Sequence, residues 1–256
     1  YTLFLMRFSI QRNLVHAYIS IDPKGYADRI EDALSHLEET TPVESDDQYL
    51  IFGSRREYAL ELNDLELAEQ TAHDSLKRAD SDEESLAWHY LTFCYCGLCE
   101  IAWRRRDWQA LKDAANEGEE LAKKSKLQME MTELILWQAV AAQQEQNEER
   151  AGYLYRRAKS RLSRLRMPAD RGYHEALCGY HLLNERLDKA ISTRRRELRL
   201  VENKGRHWYE ARSRLKLCEL LAEQGSLTEE EREQARQCML RLQKPEELIN
   251  KLNQIG

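Results

Sequence analysis

The stretch RRRDWQALKDAA, Arg104 to Ala115, is a charged turn running into a helix. Asp107 is placed to accept hydrogen bonds from the free amides of a helix that begins just after it. Ala110 follows three residues later, small where a larger apolar residue would bury more surface. The same order of polar residue, short gap and alanine occurs at Asp22 with Ala27, Asp64 with Ala68, Asn147 with Ala151 and Asp188 with Ala190. The alanines stand at 27, 68, 110, 151 and 190, at intervals of 41, 42, 41 and 39 residues. A period near forty marks an array of two-helix units, in which the alanine lets the first helix of a pair approach the second closely.

Composition agrees with that reading. With only 10 Gly and 4 Pro among 256 residues, the chain favours helix nearly everywhere. Pro23, Pro42, Pro168 and Pro245 fall between apolar periodic stretches and punctuate helices. Within a stretch such as Leu111, Ala114, Ala115, Gly118, Leu121 and Ala122, apolar residues recur at three- and four-residue steps. The spacing predicts first helices over 3–20, 46–62, 83–105, 127–146, 170–186 and 206–224. The second helices fall over 24–39, 65–79, 108–124, 148–166, 188–203 and 228–242. The predicted fold is all-α: an α-α superhelix, or solenoid, of about six antiparallel pairs with a short C-terminal capping helix at 245–255. The whole of 1–256 is read as one helical-repeat domain with repeats at 1–41, 42–82, 83–125, 126–167, 168–204 and 205–243. The sixth turn, GSLTEEEREQ, offers Ser226 or Thr228 as a cap followed by three glutamates, which favour a helix N-terminus.

The turns RDWQALKDA and LDKAIST, with Ala158 seven after Ala151 and Ser75 and Leu76 in AEQTAHDSLKRA, resemble tetratricopeptide-type repeats. The period is longer than that family's thirty-four residues. The small residue expected midway along each first helix is met at Ala139, Cys178 and Gly97. Longer units of this kind resemble the superhelical sensor regions of large bacterial signalling ATPases and of maltose-activator-like transcription regulators. The resemblance implies a right-handed superhelix that binds a peptide or protein partner along its concave face. Counting back from each alanine in that register places Arg12, His16, Glu57, Tyr95, Glu133, Gln144 and Glu175 on the inner wall, as groove candidates for partner binding.

The longest apolar runs, YTLFLM and LILWQAVAA, fall short of the roughly 20 residues that cross a bilayer, so no membrane span is expected. The first run lacks a preceding basic stretch and a cleavage site and does not read as a signal peptide. A chain opening at Tyr1 reads as a piece of a longer protein. Six cysteines among helix-forming residues predict free thiols and a cytoplasmic setting.

Two motifs invite chemistry. CYCGLC brings Cys94, Cys96 and Cys99 together, with His89 and Glu100 near the same helix face. Cys94 and Cys96 point about 200° apart around a helix, so the three thiols do not converge on one tetrahedral ion. HEALC, His174 to Cys178, resembles a zinc-protease helix but ends in Cys where a second His is needed. No Gly-rich phosphate loop is present. The expectation is a non-catalytic protein without cofactor or metal; a small-molecule-binding regulatory domain is the alternative, with nucleic-acid binding and a metal-dependent hydrolase built on His174 behind it.

Charge is uneven. Residues 1–128 hold 15 Lys/Arg against 25 Asp/Glu, and residues 129–256 hold 24 against 20. The runs YRRAKSRLSRLR and STRRRELR place Arg156 with Arg195, and Arg157 with Arg196, at equivalent repeat positions. They are candidates for a basic stripe; a solvated face partly neutralised by Glu145, Glu148, Glu149 and Glu197 is the first reading, an acidic protein partner the second, and nucleic acid ranks lower because the chain as a whole is acidic. Trp88, Tyr90, Phe93, Tyr95, Trp103, Trp108 and Trp137 are expected to fill space between helices, Tyr95 alone being assigned a possible stacking role in the groove.

Overall fold

The structure is a computed structural model. It describes the backbone of residues 2–79, 87–165 and 169–255, and the side chains of residues 8–79, 88–165 and 169–255. The predicted start of the third first-helix at 83–86, Pro168 and the side chains of YTLFLM lie outside the described residues.

The fold is all-α. Among the described residues thirteen helices run in order: α1 (Thr2–Ile21), α2 (Ala27–Thr40), α3 (Asp47–Leu62), α4 (Leu65–Ala79), α5 (Ala87–Arg105), α6 (Trp108–Ser125), α7 (Gln128–Gln144), α8 (Glu148–Leu165), α9 (Arg171–Leu183), α10 (Leu187–Val201), α11 (His207–Glu223), α12 (Glu229–Met239) and α13 (Glu246–Gln254). No helix is long and apolar enough to cross a membrane among the described residues. Helices that follow one another pack as neighbours from α3 through α8, from α10 through α13, and between α1 and α2, as the period predicts.

The local device that makes each hairpin is a left-handed residue followed by a helix cap. Asn63, Arg106, Gln146 and Glu185 all have φ between 54° and 61°. Each is followed by a residue whose amide bonds back to the first helix: Asp64 to the carbonyl of Ala59, Asp107 to Ala102, Asn147 to Ala142 and Arg186 to His181. Asp64, Asp107 and Asn147 then accept from the amides of Leu67, Ala110 and Arg150, which satisfies one of the orphan donors at each helix start.

Five residues beyond the left-handed position, the chain meets the facing helix of the same unit at Ala68, Leu111 and Ala151, each fully buried; Ala190, at the equivalent position of α10, is also fully buried. This corrects the register at one repeat: Ala110 is exposed, and Leu111 occupies the nesting position. The sequence pairing of Asp107 with an alanine three residues on is one step short of the four-residue spacing seen at Asp64 and Asn147. The ends of the series also differ. Arg186, not Asp188, takes the cap position before α10. Asp22 accepts from the amides of Gly25 and Gln243 and does not cap α2.

The chain divides into two compact units, Tyr1–Pro42 with Leu187–Gly256, and Val43–Arg186. In the second unit α7 packs against α5, α6, α8 and α9, so every residue from Met131 to Ala142 is buried. The core around it includes Leu111, Leu134, Ile135, Trp137, Ala151 and Tyr180. Ala139 and Cys178 are buried as small residues, and a Cβ on Gly97 would sit 2.7 Å from Nε of the buried Arg56.

In the other unit α1 packs on α11, and α13 packs on α11 and α12. The first pair of the sequence therefore meets the last. Asp22, 1% exposed, holds the Gln243 amide at 2.6 Å, and Lys24 pairs with Glu247. Thr228 and Glu231 form a reciprocal capping box at the start of α12.

Candidate functional site

Two faces of the second unit carry side chains that packing alone does not explain. The first is the wall made by α3, α5, α7 and α9, where α5 packs on α3, α7 and α9. Glu133 projects from α7, 5% exposed, and its Oε1 accepts from Trp137 Nε1 at 3.2 Å. Its carboxyl lies so close to Gly172, in the first turn of α9, that any Cβ there would fall upon it. Asp170 caps α9 by accepting from the Tyr173 amide at 2.8 Å, and Nδ1 of His174 is 2.6 Å from the Asp170 carbonyl.

Burial, then the neighbouring Asp170 charge, pushes the Glu133 carboxyl well above the ordinary carboxylate range. Asp170 keeps access to solvent yet is surrounded by protein on most sides, and that surrounding pushes its carboxyl up too. Glu130 is raised for the same reason. Elsewhere on the wall charges are paired: Arg104 with Glu100, and Arg171 of α9 with Glu61 of α3.

Cys96 faces this acidic group, and burial with the Glu133 charge pushes its thiol well up, as it does that of Cys99. In the other unit burial raises Cys218 and Cys238 to about 11. Thiols held protonated in this way are poor nucleophiles and poor metal ligands. Among the described residues no three His, Cys, Asp or Glu come together as a metal-holding group. His174 is engaged by Asp170 and stands edge-on to Tyr173.

The second face is a groove between the second helices α4 and α6, floored by α5. It encloses about 190 Å³ and is lined by Glu69, His73 and Leu76 of α4, by Tyr95, Leu98, Ile101, Ala102 and Arg105 of α5, by Asp107, and by Ala110, Asp113, Ala114 and Glu117 of α6. Tyr95 belongs here: its hydroxyl donates to Glu117 at 2.8 Å. This corrects its placement on the first-helix wall. Counting back from Ala110 instead of Leu111 rotates the assignment by one residue, about 100° around the helix, and the residue that turns to the wall is Cys96.

The other groove candidates separate. Glu133 and Glu175 are buried in the second unit, Glu57 is half-buried on α3, and Gln144 is exposed at the end of α7. Arg12 and His16 lie half-buried on α1, in the unit formed by the chain ends. Asp170, Glu130 and the Glu61–Arg171 pair were missed, and Cys96 was singled out only as part of CYCGLC. Only Asp170 left a signal in the sequence, as an Asp just before a helix start.

Part of the basic runs is stitched into ion pairs. Arg157 donates to Glu119 at 2.6 Å, and Glu119 also accepts from Gln138. Burial opposes ionisation of Glu119, but these hydrogen bonds outweigh it and lower its carboxyl. Arg195 pairs with Glu231 at 3.2 Å. Arg156 and Arg196 are exposed. Arg156 and Arg157 belong to one unit, Arg195 and Arg196 to the other. The neutralising partners are Glu119, Glu231 and Glu197, which pairs with Arg194 inside the second run as its place in the sequence suggests, whereas Glu145 pairs with Lys112.

A further cleft, of about 500 Å³, lies among α10, α11 and α12 and is lined by charged and amide side chains such as Glu202, Glu210, Arg214, Glu233 and Gln237. Small-molecule sites are predominantly apolar and enclose roughly 300–1,000 Å³. This cleft has the volume without the lining, and the α4–α6 groove has an apolar floor without the volume.

No family model matches the chain, and no curated protein does. A solved structure that is similar, BtubC (BKLC) from P. vanneervenii, aligns over 97% of this chain and 93% of that one, with 15% sequence identity and a TM-score of 0.44. A likeness of that degree carries no argument about function.

Proposed function

We propose that the chain is a non-catalytic interaction module whose second unit binds a peptide segment of a protein partner along the α3–α5–α7–α9 wall. The observation that supports this is the Glu133–Asp170 pair. Two carboxyls are held together on the wall and both are raised by their surroundings, an arrangement that works against the stability of the free protein. A Lys, Arg or amino terminus of a partner relieves it by adding positive charge to that of the neighbouring Arg171, with Asp170 open to solvent as the point of entry. The proposed partner is therefore basic at its contact point. The acidic partner suggested by the arginine runs loses support, because Glu119 and Glu231 already engage Arg157 and Arg195.

The test is isothermal titration of the full chain with 12-residue peptides carrying either arginine or glutamate in an otherwise Ser/Ala background, repeated with Glu133→Gln and Asp170→Asn. Both substitutions keep the acceptors that Trp137 and the Tyr173 amide use. The expected result is binding of the arginine peptide that falls at least about tenfold, or 1.4 kcal/mol, in the double variant. Equal binding by wild type and double variant overturns the proposal.

A further inference from the structure

We infer that the groove between α4 and α6 is a second docking site, on the opposite helix layer from the wall, for a partner segment in which Lys or Arg alternates with aliphatic residues. Ala110 carries the argument. It is exposed, takes no part in nesting the α5–α6 hairpin, and lines the groove with Ala114 below it. Small side chains at these positions hold open a space that Leu98 and Ile101 floor with apolar surface. The volume, about 190 Å³, suits one or two side chains and falls below the roughly 300 Å³ at which drug-sized ligand sites begin.

Charge identifies the occupant. Asp113 and Glu117 stand one turn apart on the same strip of α6 as Ala110, both exposed. Like charges at that spacing work against a helix. Asp113 accepts from Gln109, and Glu117 from the Tyr95 hydroxyl; both donors are neutral and leave the negative charge in place. The Arg105 guanidinium is bound to Glu69, and Asp107 caps α6. Four carboxylates thus face one arginine around an apolar floor. An aliphatic side chain seats on Leu98 and Ile101 while an adjacent cation reaches Asp113 and Glu117, the arrangement of an apolar centre within a charged rim that peptide sites use.

The probe is a fluorescein-labelled eight-residue peptide alternating Leu and Lys, compared with one carrying Glu for Lys and one carrying Ser for Leu, followed by anisotropy on the full chain. The expected result is saturable binding of the Leu/Lys peptide at least about tenfold tighter than of the Ser peptide, which retains only the wall, and none of the Glu peptide. It weakens at least about tenfold in Ala110→Trp, which fills the groove from an exposed position, and in the pair Asp113→Lys with Glu117→Lys. It also weakens as NaCl rises from about 50 to about 500 mM, where charge is screened within a few ångströms. Circular dichroism confirms that each variant remains helical. The wall variant, Glu133→Gln with Asp170→Asn, leaves this affinity within about twofold, which separates failure of this site from failure of the wall. Absence of saturable binding, retained affinity in both groove variants, equal binding of the Ser peptide, or loss confined to the wall variant each overturns the inference.

Discussion

The two units reach stability by different routes. In Val43–Arg186 neighbours in sequence are neighbours in space, and α7 is covered on all sides by α5, α6, α8 and α9 until Trp137 has no exposed surface. The unit of the chain ends instead brings α1 onto α11, about two hundred residues away, and polar groups just beyond α1 hold that junction: Asp22 on the Gln243 amide, Lys24 on Glu247. The difference shows that a repeating pattern suffices to stack adjacent hairpins by burial. Joining the ends of such a chain takes specific hydrogen bonds, because no local spacing selects the partner.

The largest expected break in that comparison is Trp137→Ala. Truncating a large, fully buried side chain costs about 3–5 kcal/mol, and urea unfolding should show the loss in the second unit. A change under about 1 kcal/mol would mean that α7 is not the keystone of that unit. Next, Ala151→Leu overpacks a buried nesting position by about 1–3 kcal/mol, whereas Ala110→Leu stays within about 0.5 kcal/mol because that position is exposed. Thermal melts of the two variants side by side check the register, and equal shifts would return Ala110 to the nesting series.

Of similar size is Asp22→Ala, which leaves two backbone amides without their acceptor and costs about 1–3 kcal/mol. Hydrogen exchange should quicken at residues 22–27 and 240–247 and stay unchanged around Trp137. Uniform quickening over both units would show that the junction supports the whole chain.

Two carboxyls, one in each unit, titrate in opposite senses. Glu133 is raised in the folded state, so between its ordinary value of 4.5 and its higher folded value the native chain holds the extra proton. Stability from this group therefore falls as pH rises through that window. Glu247, drawn down to about 2 by hydrogen bonds from Lys24 and Lys251, contributes stability that is lost as pH falls from 4.5 toward 2. Unfolding at a series of pH values should show Glu133→Gln gaining on wild type above pH 4.5 and Glu247→Gln losing its disadvantage below it. Parallel curves for wild type and Glu133→Gln would remove the raised carboxyl. The smallest effect is a gain: Gln146→Gly relieves a left-handed non-glycine residue by about 0.5–1 kcal/mol, read as a raised melting temperature.

Much of the hairpin structure is written locally. Asp64, Asp107 and Asn147 announce helix starts, and predicted bounds such as 65–79 and 108–124 match α4 and α6 to within a residue, because capping and 3.6-residue periodicity act over one or two turns. The faces were less legible. Tyr95 was assigned to the wrong side by a single step of register, since one residue rotates a helical position by about 100°. Arg157 and Arg195 read as a free stripe until the glutamates 38 and 36 residues away closed on them.

The sequence alone determined that the chain is all-helical, where its helices turn, and that neighbours pair, because backbone caps and apolar spacing are short-range forces. Only the tertiary structure decided that Leu111 nests while Ala110 keeps a groove open, that Glu133 meets Asp170, and that Asp22 holds the far end of the chain. Each of these depends on which side chains from distant segments share a space, and burial and charge energies are fixed by that sharing and not by order along the chain.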